Sequence, residues 1–295
     1  MRILDDAAER LRGAGIDSPR MEARLLLAHV CGASVIDIVA DRIAPGADAL
    51  ARFEAALARR IGHEPIAYIA GQREFWSLPF AVDKSVLIPR PESEVLIEEA
   101  LRRFPEREAK LNVLDLGTGS GCLLLAFLSE RPQARGLGID VSAEAVAVAE
   151  RNAHSLGLSA RARFLAGDWT EHTGTFDVVL ANPPYIKTGD LPSLAPDVVA
   201  YEPRIALDGG PDGLNAYRAI AAILPGFLGA SSCAFIELGQ GQRDSVARIF
   251  AAAGLDIEGF VNDLSYIPRC LVAGSGAKAP HVKQKKDMEK ETRSG

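Results

Sequence analysis

The chain has 295 residues, 48% hydrophobic and 24% charged, with 27 Gly, 17 Pro and a formal net charge of −6. That composition excludes wholesale disorder, collagen-like repetition and a disulfide scaffold. No apolar run reaches the roughly 20 residues of a membrane span, since the stretch from Ile223 to Ile236 is broken by Pro225, Gly226, Ser231 and Ser232.

The start, MRILDDAAERLRGAG, carries acids where a signal peptide has a basic end and an apolar block, so a cytoplasmic protein with no membrane association is expected. Residues 1–72 read as a small helical domain. Leu4, Ala7, Ala8 and Leu11, then Leu25, Leu26 and Ala28, then Phe53, Ala56 and Leu57 recur at helical spacing, and Ser18-Pro19 offers an N-cap and a first-turn proline. Over residues 73–90, Phe75, Trp76, Phe80, Val82, Val86, Leu87 and Ile88 are interrupted by Pro79 and Asp83-Lys84, the pattern of a two-strand hairpin linker.

A helix is expected from Glu92 to about Phe104. Strand and helix patterns then alternate: strand 112–116, helix 120–130, strand 136–140, helix 143–156, strand 161–167 and strand 176–181. This alternation over residues 91–275 implies an α/β domain with a mostly parallel sheet and helices on both faces. Two later segments, Ala234–Leu238 and Ile267–Ala273, are expected to add edge strands. From 276 to 295 the chain is polar and expected to be disordered. It holds six Lys/Arg against three acids, a surplus of three, so residues 1–275 carry −9. An acidic body argues against a nucleic-acid duplex as the main partner. Cys31, Cys122, Cys233 and Cys270 stand singly, with no Cys-x-x-Cys and no clustering with the five His, so they read as buried free thiols and no metal is expected.

Two motifs carry chemistry. In Asp115-Leu116-Gly117-Thr118-Gly119-Ser120-Gly121, a strand ends in small residues and opens a helix, which lets backbone approach a ligand at the carboxyl edge of a sheet. The glycine spacing is Gly-x-Gly-x-Gly rather than Gly-x-Gly-x-x-Gly, which favours a ligand without a pyrophosphate. Asp140, ending the next strand, is placed to accept from ribose hydroxyls, Trp169 to stack on an adenine and Asp168 to accept from its amino group. Each has a structural alternative: a turn glycine, a helix N-cap before Ala143, a turn aspartate.

The second motif is Asn182-Pro183-Pro184-Tyr185 after the strand 176–181. Its prolines lack amide donors and leave free carbonyl acceptors, so the Asn182 side chain and the Pro183 carbonyl can grip a planar NH2 group from both hydrogens while Tyr185 adds a ring. The structural alternative is a loop with a capping asparagine.

The glycine loop and the following acid resemble the class I S-adenosylmethionine-dependent methyltransferases, and the Asn182–Tyr185 loop resembles the amino-methyltransferases. Glu64–Gly71, Phe75-Trp76, Leu87–Glu94 and Tyr201–Leu214 are similar to the HemK/PrmC family, with Ser93 where that family often has Thr. The resemblance runs from the N-terminal helices to about Ala273. It implies a seven-stranded Rossmann-like sheet with an antiparallel edge, joined by a β-hairpin to an N-terminal substrate-recognition domain. It further implies S-adenosyl-L-methionine as cofactor, peptide chain release factors as protein substrate, and methylation of the glutamine amide of their Gly-Gly-Gln motif. On it, Gly117, Thr118, Gly119, Ser120, Gly121, Asp140, Asp168, Trp169 and Asn182 contact cofactor, and Asn182, Pro183, Pro184 and Tyr185 hold the glutamine. Rival readings are a nucleic-acid adenine N-methyltransferase and a non-catalytic module that binds the same cofactor. Arg90-Pro91-Glu92 either covers the site or starts a helix.

Overall fold

The computed structural model describes residues 2–276. The basic tail therefore lies, beyond Gly276, outside the described residues. Five helices come first: α1 (Arg2–Gly13), α2 (Pro19–Cys31), α3 (Val35–Val39), α4 (Ala47–Ile61) and α5 (Ile66–Ala70). Their apolar stripes meet around Leu11, Leu26, Phe53 and Leu57, all buried. Pro19 opens α2 in its first turn, while Ser18 makes no side-chain capping bond.

Strands β1 (Gln72–Phe75) and β2 (Leu78–Ala81) form the hairpin. Its two turn residues, Trp76 and Ser77, both sit in the left-handed region at φ 52° and 56°, the geometry that matches strand twist in a two-residue turn. Two bonds hold this otherwise disfavoured conformation: Trp76 N donates to Glu94 at 2.8 Å and its indole N–H to Glu130 at 2.9 Å. Val86-Leu87-Ile88, expected within the hairpin, is not a strand. Its backbone is satisfied by a local turn, Val86 N donating to the Asp83 carbonyl at 3.1 Å, and by side chains. The Tyr68 hydroxyl donates to the Val86 carbonyl at 2.7 Å and Ile88 N donates to Glu202 at 3.3 Å.

After a single 3-10 turn at Pro91–Ser93 come α6 (Glu94–Arg103), β3 (Asn112–Leu116), α7 (Cys122–Glu130), β4 (Arg135–Asp140), α8 (Ala143–Ser155), β5 (Ala162–Ala166), β6 (Phe176–Ala181), α9 (Pro196–Tyr201), α10 (Asn215–Phe227), β7 (Leu228–Glu237), α11 (Arg243–Ala252), β8 (Asp256–Asn262) and β9 (Pro268–Gly274). The seven-stranded sheet has the order β5-β4-β3-β6-β7-β9-β8. β9 runs antiparallel to both β7 and β8, and the remaining pairs are parallel.

The expectation that Ala234–Leu238 and Ile267–Ala273 form edges is corrected. β7 and β9 lie inside the sheet, and β8 is the edge strand on that side, β5 the opposite one. β8 has no apolar run; its residues are exposed or half-buried and none is fully buried, as expected at an edge. The free thiols divide: Cys233 and Cys270 are buried, whereas Cys31 and Cys122 are partly exposed.

Alternate residues of β3 feed opposite layers. Val113 packs with α6 and α7 around Leu96, Leu124 and Phe127; Leu114 and Leu116 pack with α10 and α11 around Tyr217, Ile220 and Phe250. Strand order reverses between β3 and β6, so a crevice opens at their carboxyl ends, where Leu116, Asp140, Ala181 and Glu237 finish their strands.

Candidate active site

That crevice holds a cavity of about 280 Å³, lined by Gly117–Ser120, Asp140, Trp169, Asn182, Pro184, Arg90 and Ser93 among others. The glycine loop is built by backbone bonds. Gly117 N and Thr118 N both donate to the Ile139 carbonyl at 2.9 and 3.1 Å, and Gly117, Gly119 and Gly121 take φ of 71°, 53° and 79°, which side-chain-bearing residues avoid. A Cβ on Gly119 would enter open space, and one on Gly117 would sit 3.5 Å from the Trp169 ring. Gly121 serves packing instead, since a Cβ there would meet Ala149, Leu125 and Phe164 at 3.2–3.3 Å.

Asp140 ties this loop to α8. One carboxylate oxygen accepts from Gly119 N at 2.9 Å and the other from Ser142 N at 3.0 Å. Ser142, not Asp140, caps α8. Beneath the loop, Asp115 accepts from the Thr118 hydroxyl at 2.6 Å, while its other oxygen is buried with no partner. Burial pushes the Asp115 carboxyl up to about 7, against the opposing Thr118 hydrogen bond. Bare backbone facing open space, a flat indole, a carboxylate at a strand end and an orphaned acceptor under the loop form a donor and acceptor set that fits an adenosyl sulfonium cofactor.

Asn182 follows β6 and lines the cavity with Pro184, whereas Pro183 and Tyr185 do not. Asn182 Nδ2 donates to Ser93 Oγ at 3.1 Å, and Ser93 donates in turn to Glu237. The Tyr185 hydroxyl donates to the other Glu237 oxygen at 3.4 Å. Burial pushes the Glu237 carboxyl up to about 7, Ser93 and Arg269 opposing and Glu92 reinforcing. The segment Leu207–Gly213 braces the loop from outside. Ile186 N donates to the Leu207 carbonyl at 3.0 Å, Gly209 N to the Ile186 carbonyl at 2.8 Å, and Gln242 Nε2 to the Tyr185 carbonyl at 2.9 Å.

Arg90 closes another side, its guanidinium donating to Glu202, whose side chain is 1% exposed. Within Arg90-Pro91-Glu92, Arg90 lines the cavity, and Pro91 and Glu92 begin the 3-10 turn. Arg90 further borders a groove of about 630 Å³ between α2, α5 and α9.

Asp168 is set apart. It is exposed, does not line the cavity, and one of its oxygens accepts from Thr170 N and the Thr170 hydroxyl, both at 2.8 Å. Ser93 and Glu237 were not singled out by sequence. The available signal for Glu237 was a carboxylate inside the apolar run Ala234-Phe235-Ile236-Glu237-Leu238.

The reversed strand order, the glycine loop and the Asn-Pro-Pro-Tyr turn define a class I methyltransferase. Residues 2–71 match the family model described as PrmC N-terminal domain, and residues 107–207 one described as methyltransferase domain. The chain belongs to the release factor glutamine methyltransferase family: the protein of that name from Caulobacter vibrioides is 46% identical over 93% of this chain and 94% of its own length. Its namesake from Rhodospirillum rubrum is 44% identical over 95% of this chain and 86% of its own. A methyltransferase structure from Pyrococcus furiosus shares the fold at 15% identity and a TM-score of 0.50, covering 76% of this chain and 98% of its own. Among the described residues, no helix is long and apolar enough to cross a membrane.

Proposed function

We propose that the chain transfers a methyl group from S-adenosyl-L-methionine to the side-chain amide nitrogen of the glutamine in the Gly-Gly-Gln motif of peptide chain release factors. The observation that carries this reading is the state of Asn182. Its Nδ2 is committed to Ser93, and its Oδ1 takes no hydrogen bond among the described residues, so it is an acceptor for an incoming NH2 group. The Pro183 carbonyl, next to a residue without an amide hydrogen, is the second acceptor.

An amide nitrogen is a poor nucleophile because its lone pair is delocalised into the carbonyl. Two acceptors on its hydrogens orient it and stabilise the positive charge that grows on it. When bound, the cofactor supplies an electrophilic methyl on a sulfonium. Asp140 holds the ribose hydroxyls, Trp169 lies against the adenine, and Gly117, Gly119 and Ser120 face the remainder. Asp168 shapes the turn that presents Trp169, and Thr118 and Gly121 hold the loop's shape. The aliphatic glutamine stem lies against Pro184, and Tyr185 holds the loop from behind through Glu237.

The N-terminal helical unit, residues 1–72, is the recognition element for the protein substrate, supported by the groove whose rim shares Arg90 with the cavity. The test is transfer of labelled methyl with a release factor and with nucleic acid side by side. Label on the release-factor glutamine is the expected result; label on nucleic acid alone overturns the reading.

A further inference from the structure

Glu237 and Ser93 lie beneath the Asn-Pro-Pro-Tyr loop, and neither is needed for the fold's hydrophobic packing. Burying a carboxylate in a strand end surrounded by apolar residues is costly, and hydrophobic residues of similar volume are frequently no less stable there. Something other than stability accounts for its place. An ionised carboxylate is acceptor-only, so both hydroxyls that reach Glu237, those of Ser93 and Tyr185, must donate to it. With its one proton committed to Glu237, Ser93 Oγ meets Asn182 only through a lone pair. The Asn182 amide must then turn its NH2 end to Ser93, as observed at 3.1 Å, leaving Oδ1 as the end free to meet the substrate.

We propose that Ser93 and Glu237 are positioning residues that fix the polarity of the Asn182 side chain, so that its oxygen and not its NH2 group meets the substrate amide. This rests on the reading that Asn182 accepts from that amide. A flipped Asn182 would present donors to donors and repel the nitrogen it has to hold. Tyr185, tied to the same carboxylate, is held by the same anchor. The titratable groups that face Glu237 are Glu92 from the 3-10 turn, Arg269 and Cys270 from β9, Tyr185 from the loop, Tyr217 from α10 and Cys122 from α7. Burial leaves Glu237 titrating near neutrality. Its protonated form can donate to Ser93 and release the constraint, so kcat rises with pH through this range.

The experiment measures kcat, KM for release factor and cofactor affinity in Ser93→Ala, Ser93→Thr and Glu237→Gln, each checked for folding by circular dichroism. Ser93→Ala is expected to lower kcat by about tenfold to a hundredfold, with KM and cofactor affinity within about twofold of the parent. Ser93→Thr, which keeps the hydroxyl, restores kcat to within about threefold, a rescue that a purely steric role does not require. Glu237→Gln abolishes the rise of kcat through neutral pH. The proposal is overturned if Ser93→Ala turns over like the parent, if Thr rescues no better than Ala, or if the pH limb survives in Glu237→Gln. Asn182→Ala separates the two readings. If it stays active, the role of Asn182 itself fails; if it is inactive while Ser93→Ala and Glu237→Gln are normal, only the positioning proposal fails.

Discussion

Asn182 and Ser93, 89 positions apart in the chain, are joined by a 3.1 Å hydrogen bond in which the asparagine donates. That bond decides which end of the amide faces the cavity, and it gives the first prediction. Asn182→Ala removes the acceptor without touching the glycine loop or Asp140. Methyl transfer is expected to fall by roughly a hundredfold or more, while calorimetric affinity for S-adenosyl-L-methionine changes by less than about tenfold. Loss of cofactor binding in parallel with turnover would place Asn182 mainly in the cofactor site.

Asp140→Ala has a different signature. Its carboxylate takes backbone N–H groups from Gly119 and Ser142, so the substitution removes both the loop's anchor and the acceptor proposed for the ribose. Weakening of cofactor binding by about 1–3 kcal/mol is expected from these charge-assisted bonds, with kcat at saturating cofactor much less affected. Calorimetry showing unchanged affinity would remove Asp140 from the ribose site.

What could be read in the sequence was whatever is local along the chain. The glycine spacing, the strand-terminal aspartate and the double proline are each contiguous, and their chemistry follows from a few adjacent residues. The Ser93–Glu237 contact joins positions 144 apart, and no local pattern encodes such a pairing. Val86–Ile88 misled because β-branched residues suggest a strand, yet its backbone is taken up by a local turn to Asp83 and by the Tyr68 and Glu202 side chains from elsewhere in the chain. β8 escaped notice because a sheet edge needs no continuous apolar run. The role of Asp168 as a turn residue was available in Asp168-Trp169-Thr170, where an aspartate two residues before a free amide commonly folds back on it.

Asp115 and Glu237 make stability depend on pH in an unusual direction. Burial raises both carboxyls to about 7 in the folded state from ordinary values near 4. Between these limits the folded protein keeps protons that the unfolded chain has released. The stability these groups contribute is therefore present at pH 4–5 and declines as pH rises through 7. Urea unfolding at pH 5 and pH 8 should show Asp115→Asn losing less stability across this interval than the parent, by on the order of 1 kcal/mol or more. An equal loss in both proteins would show that Asp115 titrates normally.

Glu202 ties the cavity wall to the groove. It accepts from Arg90 and from Ile88 N while buried. Glu202→Ala strands a cation and a backbone donor, and a cost of roughly 3 kcal/mol is expected in chemical denaturation. Glu202→Gln keeps one acceptor oxygen and sets its NH2 end against the other donor, so it should recover only part of that loss. KM for the release factor should rise in the alanine variant, because Arg90 borders both openings.

The brace behind the Asn-Pro-Pro-Tyr loop can be tested by adding one methyl group. A Cβ at Gly209 would fall 2.8 Å from the Tyr185 Cα and 2.9 Å from the Gly213 backbone, distances that only movement of main chain can relieve. Gly209→Ala should therefore push the Asn-Pro-Pro-Tyr loop from its position. Overpacking of this kind costs about 1–3 kcal/mol, and a displacement of about 1 Å in a positioning loop is enough to lower kcat by about a hundredfold. Gly226→Ala is the matched control. It lies in α10, where a Cβ meets nothing within 4 Å, and should stabilise by up to roughly 1 kcal/mol with kcat unchanged. If Gly209→Ala turns over as fast as this control, the Leu207–Gly213 segment does not hold the loop proposed to grip the glutamine.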